Sequence, residues 1–199
     1  IDTGAFCEKK YLLDKIFRLG IDPNQISLIV LTHGHADHAG NTRILKDEFK
    51  IKVAMNKNDV SMVKNAVNDF PPGRGLVGTI ARSMFVNEND DKGNLPSYPT
   101  FSPDIIFDDD DFDLKEYGFD NCDVIYTPGH TSGSISVKYN ECLFAGDLFM
   151  NIICPQASLF ATDEDLLFES IDKVGRYDIK RCYPSHGNNF DFSKFLKKE

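Results

Sequence analysis

The 199-residue sequence lacks any apolar stretch long enough to cross a bilayer, and it contains no N-x-[ST] glycosylation site. A transmembrane helix needs roughly 18 or more predominantly apolar residues. The longest apolar stretches, such as residues 26–31 and 149–154, are far shorter. We therefore expect no membrane partner.

Basic residues are scarce relative to acidic ones. Lys and Arg total 22 against 31 Asp and Glu, which gives a formal net charge of -9. A field of this sign repels phosphate backbones, and nonspecific nucleic-acid binding depends on a basic surface. The composition therefore predicts no nucleic-acid partner.

The cysteines show neither a disulfide framework nor a zinc-ribbon pattern. There are five of them, they are widely spaced, and no C-x-x-C pair occurs. An odd number at such spacings is typical of reduced thiols in a reducing compartment. We therefore expect a cytoplasmic protein.

The sequence predicts alternating strands and helices in a single domain over residues 1–199. Hydrophobic residues make up 41% of the chain, enough for a sizeable core. Helical spacing and capping residues predict helices at residues 8–19, 41–49, from 57 onwards, and from Thr162 to a stop at Gly175. Apolar runs predict strands at residues 27–31, 51–54, 104–107, 123–126, 134–138, 142–144 and 179–183. The fold class is α/β.

The alternation breaks between residues 69 and 103, where Pro, Gly and Asn recur without sustained periodicity. Loops of this length are usually functional or mobile, so this segment is interpreted as an insertion or lid. If the segment is a lid, Arg74 and Phe85 would contact the substrate. The positive charge of Arg74 would then bind an acidic substrate. The alternative is a surface loop that packs its own aromatic residues.

All five histidines follow predicted strands, in the segments His33-x-His35-x-Asp37-His38, Gly129-His130-Thr131 and Ser185-His186-Gly187. Asp147 also follows a predicted strand. Imidazole and carboxylate are the ligands that zinc and related first-row ions prefer, and loops at one sheet edge can converge on one point. Seven such groups are too many for one tetrahedral ion and suit two.

The pattern H-x-H-x-D-H, followed by a distant His, an Asp and a last His, resembles the metallo-β-lactamase fold superfamily from Asp2-Thr3-Gly4 to His186. The resemblance implies that His33, His35 and His130 hold a first metal, that Asp37, His38 and His186 hold a second, and that Asp147 bridges them. The implied cofactors are two divalent ions, zinc foremost, with iron or manganese as alternatives.

The resemblance also implies the fold, an αβ/βα four-layer sandwich of two mixed β-sheets flanked by helices. The first strands of that family normally precede Asp-Thr-Gly, so we expect them to be missing ahead of Ile1. Asp2 is a candidate for holding the ligand imidazoles in place.

Two-metal chemistry implies a hydrolase in which a hydroxide bridged between the ions attacks an ester, thioester or lactone bond of a small molecule. Asp37 would orient this hydroxide and accept its proton. Within the superfamily, the glyoxalase II-like and lactonase-like branch fits best. A mononuclear-iron, persulfide dioxygenase-like oxidoreductase is the alternative, with β-lactamase and phosphodiesterase activities behind it. The expected partners are a small-molecule substrate and, as an assembly to test, a homodimer.

Overall fold

The computed structural model describes residues 1–6, 9–66, 69–85, 98–108 and 112–195. The chain divides into two compact units. One comprises Ile1–Phe70 and Phe85–Phe107, and the other comprises Pro71–Met84 and Asp108–Glu199. Each unit has one β-sheet and several helices, which confirms the α/β class.

The first unit is built on a three-stranded sheet whose buried strands pair in parallel in the order β1-β2-β3. Its strands are β1 (Leu28–Val30), β2 (Lys52–Asn56) and β3 (Ile105–Phe107). Its helices are α1 (Lys9–Arg18), α2 (Ala36–Ala39), α3 (Thr42–Phe49) and α4 (Val60–Asn65), with 3-10 turns at Pro23–Gln25 and Lys57–Asp59.

The second unit has a mixed sheet in the order β4-β5-β6-β8-β9, with β7 paired to β6. Its strands are β4 (Cys122–Tyr126), β5 (Ile135–Tyr139), β6 (Cys142–Asn151), β7 (Gln156–Ala157), β8 (Arg181–Gly187) and β9 (Phe190–Asp191). Strands β6 and β8 pair in parallel, and the other pairs are antiparallel. Its helices are α5 (Gly75–Phe85), α6 (Glu164–Val174) and α7 (Phe192–Phe195), with a 3-10 turn at Leu114–Tyr117.

Strands β6 and β8 run further than the sequence predicts, so Asp147 and His186 lie within strands rather than after them. The register of β6 against β8 shifts on both sides of Gly146, whose φ is +55°. A bulge of this kind re-aims a side chain while the strand continues. The later parts of β6 and β8 contain polar residues and glycine, so no continuous apolar run marks them as strands.

The segment predicted to be irregular contains helix α5 at Gly75–Phe85. Two glycines make this helix unfavourable by intrinsic propensity, which explains why the sequence did not predict it. A Cβ atom at Gly78 would lie 2.5 Å from the Leu159 carbonyl oxygen, so the helix is held by close backbone packing within its unit. Residues 86–97 of the predicted insertion lie outside the described residues.

Helix α6 begins one residue later than predicted. Its N-cap is Asp163, whose carboxylate accepts from the Leu166 N–H at 3.0 Å. The hydroxyl of Thr162, the predicted cap, instead donates to the Gly129 carbonyl at 3.1 Å. Among the residues that the structure describes, no helix is long and apolar enough to span a membrane.

Candidate metal centre

Three imidazoles cluster where β1 leads into α2, with His33 and His35 in the connecting loop and His38 in the helix. His33, His35 and His38 are each at most 4% exposed. The His33 ring centroid lies 4.7 Å from that of His35 and 3.9 Å from that of His38. Ligand nitrogens of His33 lie within 4.8 Å of ligand nitrogens of the other two residues. The segment follows a strand, as predicted, but Ala36–Ala39 form the short helix α2 where the sequence predicted a loop.

The His38 ring is held by a carboxylate near the start of the chain. Its Nδ1 lies 2.9 Å from Asp2 Oδ2, so the Nδ1–H donates to the carboxylate. This contact fixes the tautomer and leaves the lone pair on Nε2. The expected contact of Asp2 with an imidazole of the motif is present.

Thr32 connects Asp2 to a second imidazole. Its N–H and hydroxyl donate to the two Asp2 carboxylate oxygens at 2.7 and 2.8 Å. Because a hydroxyl carries one proton, the Thr32 oxygen then accepts from Nδ1 of His33, which lies 3.1 Å away. Asp2 therefore orients His38 directly and His33 through Thr32.

The peptide groups on either side of Gly34 are held by two buried side chains. Asp59 Oδ2 accepts from the Gly34 N–H at 3.0 Å, and the Tyr98 hydroxyl donates to the Gly34 carbonyl at 2.6 Å. Both residues are at most 3% exposed. A Cβ at Gly34 would lie 2.9 Å from Met62 Cβ, so the loop is also in tight contact with α4. We call Asp59 and Tyr98 the Gly34 clamp.

The Gly34 clamp is expected to make stability depend on pH in the alkaline range. Burial, and secondarily the charge of Asp59, raises the pKa of Tyr98 above its ordinary value of 10.0. The folded state therefore holds this proton more tightly than the unfolded state. The resulting stabilisation is complete below about pH 10 and is lost as the pH rises toward the folded-state pKa.

Denaturant unfolding at pH 8 to 11 tests this linkage in a Tyr98→Phe variant. At pH 8 the variant should be less stable by about 1 kcal/mol, the net contribution of a typical hydrogen bond. The difference from the wild type should shrink above pH 10. Tyr11→Phe is the matched control because Tyr11 is 67% exposed. A stability difference that does not change with pH contradicts the assignment.

Asp37 differs from its histidine neighbours in exposure. It lies in the first turn of α2, its side chain is 43% exposed, and its Oδ2 lies 3.7 Å from His38 Nε2. The three imidazoles are buried, whereas this carboxylate is accessible to solvent. It can therefore both approach an ion and exchange a proton with a bound molecule.

The second unit contains the remaining three predicted ligands and places two of them, both imidazoles, near the carboxylate of the third. Asp147 Oδ2 lies 3.5 Å from His130 Nε2 and 3.3 Å from His186 Nε2. The side chains of Asp147 and His130 are at most 5% exposed, and that of His186 is 36% exposed. One carboxylate oxygen therefore approaches both imidazoles, and the bridging role of Asp147 stays a prediction.

The His130 loop is fixed by backbone contacts. His130 Nδ1–H donates to the Phe160 carbonyl at 2.9 Å, which leaves Nε2 directed at Asp147. Gly129 has φ of +133°, and a Cβ there would lie 2.4 Å from Leu167 Cα. Only glycine combines this φ with such close approach to α6 at little cost.

Of the two predicted substrate contacts, the structure describes the side chain of Arg74 but not that of Phe85. The guanidinium of Arg74 is engaged within its own unit: Nη1 donates to the Ser158 carbonyl at 2.6 Å, and Nη2 donates to Glu164 at 3.0 Å. Phe85 is the last residue of α5. Its side chain lies outside the described part of the chain, so its role stays a prediction.

The chain belongs to the metallo-beta-lactamase superfamily, whose family model matches residues 1–186. This confirms the resemblance drawn from the histidine motifs. This is a metallo-hydrolase superfamily whose proteins bind metal ions.

Two curated relatives and one solved structure illustrate the similarity. "Probable metallo-hydrolase MJ0888" of Methanocaldococcus jannaschii is 28% identical over 98% of this chain and 85% of its own length. "Hydroxyacylglutathione hydrolase GloC" of Haemophilus influenzae is 28% identical over 74% of this chain, but the match spans only 59% of that enzyme. The crystal structure of TTHA1623 in a di-iron-bound form matches with a TM-score of 0.66, at 21% identity over 98% of this chain and 85% of that one.

Sequence reasoning did not find several residues that orient the predicted ligands, namely Thr32, Asp59, Tyr98 and Phe160. Thr32 directly precedes the histidine motif, and this adjacency was an available signal. Asp59 and Tyr98 lie 25 and 64 positions from Gly34, and no local pattern marks them. Phe160 contributes a backbone carbonyl, which any residue type could supply.

Proposed function

We propose that this protein is a binuclear metal-dependent hydrolase of a small ester, thioester or lactone. The first ion would be held by His33, His35 and His130, and the second by Asp37, His38 and His186, with Asp147 as the bridging ligand. Zinc is the first candidate ion, with iron or manganese as alternatives.

The observation that carries the proposal is the buried imidazole cluster oriented by a carboxylate. His33 and His38 are each at most 2% exposed and share the Asp2 and Thr32 hydrogen bonds. Metal-binding histidines commonly donate their other N–H to a carboxylate, which orients the ring and raises its basicity. The donor set of imidazoles and carboxylates fits zinc and related first-row ions.

The chemistry divides between the ions and the chain. When bound, a pair of divalent ions lowers the pKa of water toward neutrality and polarises a carbonyl group. Asp37 is the exposed carboxylate of the motif and accepts the proton released as the substrate is attacked. Asp2 and Thr32 keep His38 and His33 oriented through turnover, and the Phe160 carbonyl does the same for His130.

The substrate class is proposed from two arguments, and the number and kind of metal ions from a third. The acidic net charge of -9 disfavours nucleic acids. The GloC relative is named for hydrolysis of an acylglutathione, a thioester. The TTHA1623 structure contains two irons, which supports a binuclear site and keeps iron among the candidate ions.

Elemental analysis of protein purified without added metal tests the metal requirement. About two ions per chain, together with hydrolysis in an ester, thioester and lactone panel, are the expected results. A single iron per chain with no hydrolysis would replace this proposal with the persulfide dioxygenase-like alternative. No bound metal after reconstitution would overturn both.

Asp37→Ala tests the role of the exposed carboxylate. We expect kcat to fall by about 10² to 10⁴, the usual contribution of a positioned proton acceptor, while at least one ion is retained. Asp14→Ala, on the exposed surface of α1, is the control and should keep full activity. Full activity in Asp37→Ala would exclude this role.

A further inference from the structure

The side chain of Arg74 makes more contacts within the protein than expected of an arginine that is available to bind an anionic substrate. Besides its hydrogen bonds to Ser158 and Glu164, its guanidinium carbon lies 4.6 Å from the Phe168 ring centroid. Its side chain is 16% exposed. The planar guanidinium therefore joins residue 158 to the first two turns of α6, a fork and stacking geometry that lysine cannot reproduce.

The backbone around Arg74 reinforces the same contact. The Arg74 N–H donates to the Leu159 carbonyl at 2.8 Å, and the Ala161 N–H donates to the Pro72 carbonyl at 3.0 Å. Gly73 pairs with Phe160 in an antiparallel bridge between these bonds. Residues 72–74 thus run alongside residues 158–161 and fix their backbone.

Residues 158–161 contact one predicted metal ligand of this unit, His130, and the residue that follows a second, Asp147. The Phe160 carbonyl accepts from His130 Nδ1, and the Ser158 N–H donates to the Leu148 carbonyl, next to Asp147, at 3.0 Å. A shift of this segment would change the direction of His130 Nε2, which lies 3.5 Å from Asp147.

We infer that Arg74 is a positioning residue that orients His130 through residues 158–160, rather than a contact for an anionic substrate. The inference rests on the proposed metal-dependent function. Arg74 holds the Ser158 carbonyl and the first turns of α6 in place. The Phe160 carbonyl, which lies in the same segment, is then positioned to accept from His130 and keeps the proton of that ring on Nδ1. As a result, Nε2 stays available to an ion.

The first test uses metal-free protein and nitrogen-15 NMR of the histidine rings. In the wild type, His130 should show a single tautomer with its proton on Nδ1. In Arg74→Ala the two tautomers should exchange, and Arg74→Lys should restore the wild-type state only in part. An unchanged His130 tautomer in Arg74→Ala would overturn the inference whatever metal the protein binds.

The second test measures cobalt(II) affinity by competition with a chelator. Loss of an outer partner of a ligand histidine typically costs 10- to 100-fold in metal affinity, so a decrease of about this size is expected for Arg74→Ala. Arg176→Ala is the matched control. Arg176 is an exposed arginine of the same unit that follows α6, whose last residue, Val174, lies roughly 15 Å along the helix axis from Glu164.

Kinetics separate positioning from substrate binding. For Arg74→Ala we expect a lower kcat and the same change in KM for neutral and anionic substrates of the panel. If instead KM rises only for anionic substrates and cobalt affinity is unchanged, Arg74 contacts the substrate, as the sequence predicted. A wild type that binds no metal would refute the proposed function, while the NMR result would still decide the role of Arg74.

Discussion

Asp147→Asn is expected to lower kcat by at least about a thousandfold and to leave no more than one tightly bound ion per chain. The carboxylate lies 3.3 to 3.5 Å from the Nε2 atoms of His186 and His130, and an amide of the same shape lacks the charge that a bridging ligand supplies. Metal assistance is worth several kcal/mol in the transition state, and each 1.4 kcal/mol corresponds to a factor of ten in rate.

Thermal unfolding with and without added metal separates this effect from misfolding. A ligand that binds the folded state raises its stability in proportion to the logarithm of its concentration over Kd. The wild type should therefore gain stability with metal, and Asp147→Asn should gain much less. Without metal, the variant should be at least as stable, because burying a charge is costly.

Asp172→Asn, at an exposed position of α6, is the control and should behave as the wild type does. Retention of two ions and full activity by Asp147→Asn would refute the bridging role. It would not by itself refute the roles of the histidines in the first unit.

Asp59→Ala is expected to weaken metal affinity by about 10- to 100-fold, although Asp59 is not proposed as a ligand. Its carboxylate accepts from the Gly34 N–H, between His33 and His35, and the residue is 1% exposed. Removing the acceptor leaves a buried N–H without this bond, at a cost of about 1 to 3 kcal/mol in the free energy of unfolding. The loop then loses the constraint that orients both imidazoles.

Asp59→Asn refines this test, because its amide oxygen can still accept from the Gly34 N–H. It should retain more metal affinity than Asp59→Ala. Asp14→Ala, at an exposed site in the same unit, controls for the loss of an acidic residue. A loss of stability in Asp59→Ala with unchanged metal affinity would limit the Gly34 clamp to a structural role.

The sequence predicted most strands and helices of this protein because their signals are local. Residues 27–31 form a continuous apolar run, and the structure places β1 there at Leu28–Val30. Residues 41–49 have helical spacing, and α3 occupies Thr42–Phe49 with Asn41 at its N-cap. Apolar spacing within a few residues decides such elements, whatever the remainder of the chain does.

The sequence missed elements whose stability depends on distant contacts. Helix α5 contains Gly75 and Gly78, and Gly78 packs against the Leu159 carbonyl, 81 positions away in the chain. The second half of β6 continues through the bulge at Gly146 because β8 pairs with it on both sides of the shift. Neither partner is visible from the residues of the element itself.

The same distinction between local signals and distant contacts applies to the candidate ligands and to the residues that hold them in place. The sequence by itself determined the histidines and aspartates of the motifs and the loops that carry His33 and His130, because spacing and strand ends are properties of adjacent residues. The sequence also indicated Asp2 as a residue that holds the imidazoles, and only the tertiary structure decided that Asp59, Tyr98 and the Phe160 carbonyl hold these loops in place. Their hydrogen bonds join residues 25 to 64 positions apart, and folding alone brings such residues within 3 Å of one another.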